Sequence, residues 1–160
     1  MGDFIFNRGL GRGTEWAERV NANDPTNSVI VIMILATSGV ESDAVLRDKD
    51  SFSDIVSGTT NEVTNSGYAR KTIDNSAGMT VTYDDTNDRV DVDIADQTWT
   101  AIAAGDGWQD LVTGWDSDST GGADSAILPW SLHDFATTPD GSDITAVIPS
   151  GGFFRASSTT

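Results

Sequence analysis

The longest uninterrupted apolar stretch in the chain runs from Val29 to Ala36 (VIVIMILA), with Ser28 before it and Gly39 shortly after. It is rich in β-branched residues and continuous rather than alternating, which predicts a central strand over 28–36. A second pattern has period two. Met79, Val81 and Tyr83 alternate with threonines, and Val90, Val92 and Ile94 alternate with aspartates. The five polar residues from Asp84 to Asp88 lie between them, which predicts an antiparallel hairpin with one buried and one wet face. Asp91 and Asp93 on the wet face discourage edge-to-edge pairing with other chains.

Shorter apolar segments over 68–73, 98–102, 110–115, 126–130, 144–148 and 152–156 read as further strands. Turn-forming clusters separate most of them: Gly105-Asp106-Gly107, the loop over 116–125, and the residues over 139–143. One short helix is predicted within 48–58. Ser51 and Asp54 have the spacing of a capping box, Phe52, Ile55 and Val56 share a face, and Gly58 suits the position after the helix. No internal repeat of fixed period is visible.

The N-terminal residues differ from this body. Phe4, Ile5 and Phe6 form an apolar patch, and Gly9, Gly11 and Gly13 form a flexible step. Thr14 reads as a helix N-cap, with Glu15 in the first turn and Trp16 and Val20 on one face. Two placements fit this pattern: a first strand and helix packed on the body, or an arm that reaches a neighbouring subunit. In the second, Phe4, Phe6, Arg8, Arg12 and Trp16 are the expected partner or oligomer contacts, because aromatic residues and arginine dominate interface hot spots. The expected organisation is an N-terminal arm with a short helix over 1–27, a β domain over 28–156 and a frayed tail over 157–160. The expected fold is all-β: an antiparallel β-sandwich or jelly-roll-like domain with one short inserted helix.

Composition narrows the chemistry. The 160 residues hold 25 acidic and 9 basic side chains, for a net charge of −16, and 21 of the acids are aspartate. Aspartate, with 19 Thr, 16 Ser and 16 Gly, favours turns over long helices. Charges cancel over residues 1–20, so the body carries the whole excess. This balance argues against nucleic acid and against anionic membrane surfaces as partners. The eight-residue apolar run is too short to span a bilayer. The first residues lack the pattern of a signal peptide, and Asp3 and Phe6 do not suit a myristoylation site. With no cysteine and one histidine, thiolate chemistry and multi-histidine metal sites are excluded.

Four constellations remain. The loop Asp116-Ser-Asp118-Ser-Thr-Gly121-Gly122-Ala-Asp124 has some features of a calcium loop, but the twelfth position is Ile127 where a glutamate is needed. A solvated turn is the preferred reading there and at Asp84/Asp85/Asp88, and no metal or other cofactor is expected. Paired carboxylates could serve glycoside hydrolysis, yet 21 aspartates make some pair inevitable, and none stands in a clearly apolar run. His133-Asp134 could supply a base, but neighbours in a strand face opposite sides, and no G-x-S-x-G elbow is present. A loop leading to Phe135 is the preferred reading. Trp108, beside Gly105 and Gly107, is a candidate exposed aromatic for stacking on a glycan.

Taken as an ordered set, several segments resemble a family of small virion proteins of tailed bacteriophages. They are ESDAVLRDKD over 41–50, DDTNDR over 84–89, TWT over 98–100 and the 116–124 loop. HDF over 133–135, PDGSD over 139–143 and FFRAS over 153–157 complete the set. The resemblance implies a non-enzymatic capsid cement or decoration protein that binds and stabilises the assembled head. It would lie on the outer capsid surface of virions assembled in the host cytoplasm. The major capsid protein would be its partner, with self-association as a homotrimer first and a dimer second. The family supplies no catalytic residues. Two alternatives stay open: a tail or baseplate adhesin binding host glycan, and, last, a carbohydrate-active enzyme.

Overall fold

The computed structural model describes residues 2–76 and 78–158. Among them the chain forms three antiparallel sheets and few helical turns, so the all-β expectation holds. The largest sheet has five strands in the order β1 (Phe4–Ile5), β8 (Leu128–Thr137), β7 (Trp108–Asp116), β2 (Val29–Ala36) and β3 (Lys71–Ile73). A second joins β10 (Phe154–Ser157), β5 (Arg89–Ile94) and β4 (Met79–Asp84). A third pairs β6 (Gln97–Trp99) with β9 (Ile144–Ala146).

Strand β2 explains the architecture. All eight of its residues are buried, and successive side chains point to opposite faces. Ile30, Ile32, Ile34 and Ala36 enter one core, while Val29, Val31, Met33 and Leu35 enter another. The first core lies between the large sheet, the two smaller sheets and helix α1 (Gly13–Ala22). The second is closed by Phe4 and Phe6 and by the single-turn helices α2 (Asp43–Leu46) and α3 (Phe52–Ile55). A strand covered on both faces has no wet side, hence its unbroken apolar run.

The hairpin is as expected: Met79 to Asp84 pair in register with Ile94 to Arg89. Its turn is held by Asp84, which accepts hydrogen bonds from the N–H groups of Thr86 and Asn87. The single helix expected within 48–58 shrinks to α3. Ser51 Oγ accepts from Asp54 N at 3.1 Å, but the Asp54 carboxylate accepts from Asp50 N rather than from Ser51. Helix α2 was not anticipated. Helix α1 starts one residue before the expected cap, after Arg12, and no side chain caps it.

The N-terminal arm requires correction. Phe4 and Ile5 pair with Leu132 and Ser131, and Phe6 N donates to Trp130 O. Phe6 and Trp16 are fully buried and Phe4 nearly so. Trp16 stacks on Trp115 with centroids 6.0 Å apart and meets Trp130 edge-on. Burying each large apolar side chain contributes about 1.5–3 kcal/mol, which a free arm would forfeit. Three of the five expected partner contacts, Phe4, Phe6 and Trp16, are therefore spent within their own chain. Arg8 and Arg12 stay exposed. At the other end, Ser157 belongs to β10 and Ser158 N donates to Asp88 O, while residues 159–160 of the expected tail lie outside the described residues.

Candidate functional site: a cleft beside His133

Strand β8 extends through His133 and Phe135, where the sequence suggests a loop. Its mixed composition hides a strand that only pairing with β7 reveals: Leu111 lies opposite His133 and Thr113 opposite Ser131. On this face the sheet and the segment 146–153 enclose a cleft of about 370 Å³. Apolar side chains, among them Ile32, Ile94, Leu111 and Ile148, form much of its wall, and Phe135 and Phe153 add ring surfaces.

A polar chain runs along one side. Asp3 Oδ1 accepts from Asp134 N at 2.8 Å, which places Oδ2 at 3.5 Å from His133 Nδ1. His133 Nε2 is 2.9 Å from Ser131 Oγ, which is 2.6 Å from Thr113 Oγ1. The His133 ring lies 5.8 Å from that of Phe153. The order carboxylate, imidazole, hydroxyl is that of a nucleophile activated by a base. Ser131 is nonetheless buried, shares its hydroxyl with Thr113 and does not line the cleft. The chain orients the imidazole and leaves Ser131 without access to a substrate.

Asp134 does not take the role considered for it beside His133. It lies across from Asp110 in the ladder. Asp110 is fully buried, and burial, followed by the Asp134 charge, pushes its carboxyl up to about 7. The signal was present in the sequence, since Asp110 and Val112 share a strand face and Val112 is core.

The other candidates serve the scaffold. Asp116 accepts from Asp118 N, and Asp118 accepts from Thr120 N and Oγ1. Asp124, the third acid of that loop, instead grips Arg70 through two bonds of 2.7 and 2.8 Å. The adjoining edge of the Arg70 guanidinium, which shares Nη2, holds Glu62 at 2.8 and 2.6 Å. Arg70 holds the Asp124 carboxyl below its usual range. Tyr68 joins this clamp by donating to Glu62 and accepting from Ile34 N. Among the described residues, no group of three or more His, Asp or Glu side chains is placed to hold a metal ion.

Trp108 also requires correction. It is 1% exposed and donates its indole N–H to Asn65 Oδ1 at 3.0 Å, so it offers no glycan platform. Asp106, bonded to both N and Oγ1 of Thr64, fixes the preceding turn, and Trp108 begins β7 rather than ending a loop.

Comparison with protein-family models, curated proteins and solved structures gives no match.

Proposed function

We propose that the protein is a non-enzymatic structural component of a tailed-phage virion, a cement or decoration protein that binds the outside of the assembled head. The observation that carries the proposal is the turn over residues 7–12. Leu10 within it is 62% exposed, and the exposed Arg8 and Arg12 flank it. Arginine is enriched at interface hot spots, and the exposed leucine between the two adds apolar area that a partner would bury. It stands on a body whose surface is otherwise dominated by acids.

The turn is held rigidly, which lowers the entropic cost of binding. A Cβ on Gly9 would lie 2.7 Å from Trp130 O, so the backbone packs directly on β8. Asn7 N donates to Arg47 O, and Asn7 Nδ2 donates to the Asp48 carboxylate. These bonds tie the turn to the residues just after α2, within the 41–50 segment of the phage-like motif set. Arg8 and Arg12, with Leu10 in place of the buried aromatics, are the partner contacts of this reading. The acidic body disfavours adhesion to packaged DNA and keeps a densely repeated surface soluble. A cyclic homo-oligomer, trimer before dimer, suits a symmetric shell.

The test is binding to purified heads. The variant Arg8→Ala/Leu10→Ser/Arg12→Ala should fold with an unchanged thermal midpoint yet decorate heads at least about tenfold more weakly. Undiminished decoration by that variant, or recovery of the protein only from isolated tails, would overturn the proposal.

A further inference from the structure

The cleft beside His133 is not used by the head-binding turn, and its chemistry selects a ligand of its own. The ionisable residues that line it are Asp3, His133 and Asp134, with no lysine or arginine among them. Asp3 is well exposed at the mouth, and its carboxylate is held in place by the bond from Asp134 N. The Phe153 ring stands beside His133, within the same wall. Asp3 and Phe153 thus each neighbour His133 in one cleft, and a carboxylate and an aromatic ring in one cleft together attract an organic cation, through charge and through the ring quadrupole. Behind this pair the wall is aliphatic, formed by Ile32, Leu111 and Ile148. It suits an apolar stem rather than a second charge. An anion would meet the Asp3 carboxylate and a net charge of −16. A neutral sugar would stack on the rings and donate hydroxyls to the carboxylate, but it gains nothing from the charge itself and has no apolar stem for the aliphatic wall.

We propose that this cleft binds an alkylammonium or alkylguanidinium group, its head between Asp3 and Phe153 and its stem against Ile32, Leu111 and Ile148. The volume of about 370 Å³ falls at the small-ligand end of known pockets. A free amine and the arginine or lysine side chain of a partner present the same chemistry. His133, bonded to Ser131 on its far side, fixes the wall against which the head rests and does no proton chemistry in this role.

The test is calorimetric titration of the full chain with n-butylguanidinium, its neutral isostere n-butylurea, a capped Gly-Gly-Arg-Gly-Gly peptide and methyl glucoside. Saturable binding of the guanidinium, at least about tenfold tighter than the urea, is expected. Peptide binding of similar strength identifies a side chain as sufficient, and binding of the guanidinium without the peptide identifies a free small cation. Asp3→Asn should weaken the cation about tenfold or more while the urea is unaffected, and Phe153→Leu should weaken it by a smaller factor. Asp85→Asn, which removes the same charge from the exposed hairpin turn, should change nothing. Equal binding of urea and guanidinium, tighter binding of the glucoside, equal losses in Asp3→Asn and Asp85→Asn, or no saturable response would each overturn the proposal. Failure of head binding would leave it untouched, because the turn and the cleft use different residues.

Discussion

Asp110 lies directly opposite Asp134 in the antiparallel β7–β8 ladder, with its own side chain sealed from solvent. Two carboxylates so placed resist double ionisation. Burial first, then the charges of Asp134 and Asp43, raise Asp110 to about 7. In the unfolded chain the group titrates near its ordinary value of about 3.9. The native state therefore holds the proton more tightly. The stabilisation is full below about pH 4 and is lost as pH rises to about 7, a change of up to about 4 kcal/mol. Asp84 and Asp124 act in the opposite sense. Their pKa values are lowered, chiefly by hydrogen bonds from Asn87 and Arg70 respectively, so they matter only as pH falls below the ordinary carboxylate range. Urea unfolding of the native chain should show higher stability at pH 5 than at pH 8. Asp110→Asn should flatten that slope. An unchanged slope would place the titrating group elsewhere.

The Arg70 clamp should behave as a unit. Its guanidinium meets two carboxylates along two edges, and Arg70 and Glu62 are largely withdrawn from solvent. Arg70→Lys keeps the charge but cannot make both forks. A loss of about 2–3 kcal/mol is expected from charge-assisted bonds left unmade. Chemical denaturation measures it, and a loss no larger than that of a surface substitution would mean the clamp is dispensable.

Residues 4–22 should be indispensable to folding. Phe6→Ala or Trp16→Ala should cost about 3–5 kcal/mol, the range for large aromatics removed from a core. Deletion of residues 2–13 should expose the outer edge of β8 and uncover the second core. Circular dichroism and amide exchange would report this directly. A truncated chain with native protection in β7 and β8 would restore the arm.

Gly13→Ala should destabilise, although alanine favours a helix by up to about 1 kcal/mol over glycine. The added Cβ would lie 2.7 Å from a ring carbon of Phe154 and 2.9 Å from one of Trp130. Gly121→Ala, with nothing within 4 Å of the new atom, serves as the control and should be nearly neutral. A higher thermal midpoint for Gly13→Ala would show that the two rings yield easily.

Strand β2 and the β4–β5 hairpin were legible in the sequence because each is a local pattern. An unbroken apolar run reports burial on both faces, and strict alternation around an Asp-rich turn reports burial on one. The turn locks at Asp84 and Asp118 are local too, since each carboxylate bonds the N–H two residues on. The same locality misled where a segment's neighbours were unknown. Phe4, Phe6 and Trp16 look like an arm only until β1 pairs with β8. Trp108 looks exposed only until Asn65 meets its indole, and β8 beyond Trp130 looks like a loop until β7 supplies its hydrogen bonds. The cleft lies wholly on the far side of this divide. Asp3 reaches the strand of His133 across 131 positions, and Arg70 reaches Asp124 across 54. No periodicity encodes such pairs. They follow from the register in which distant strands align, and that register is set by the joint packing of two cores rather than by any one segment.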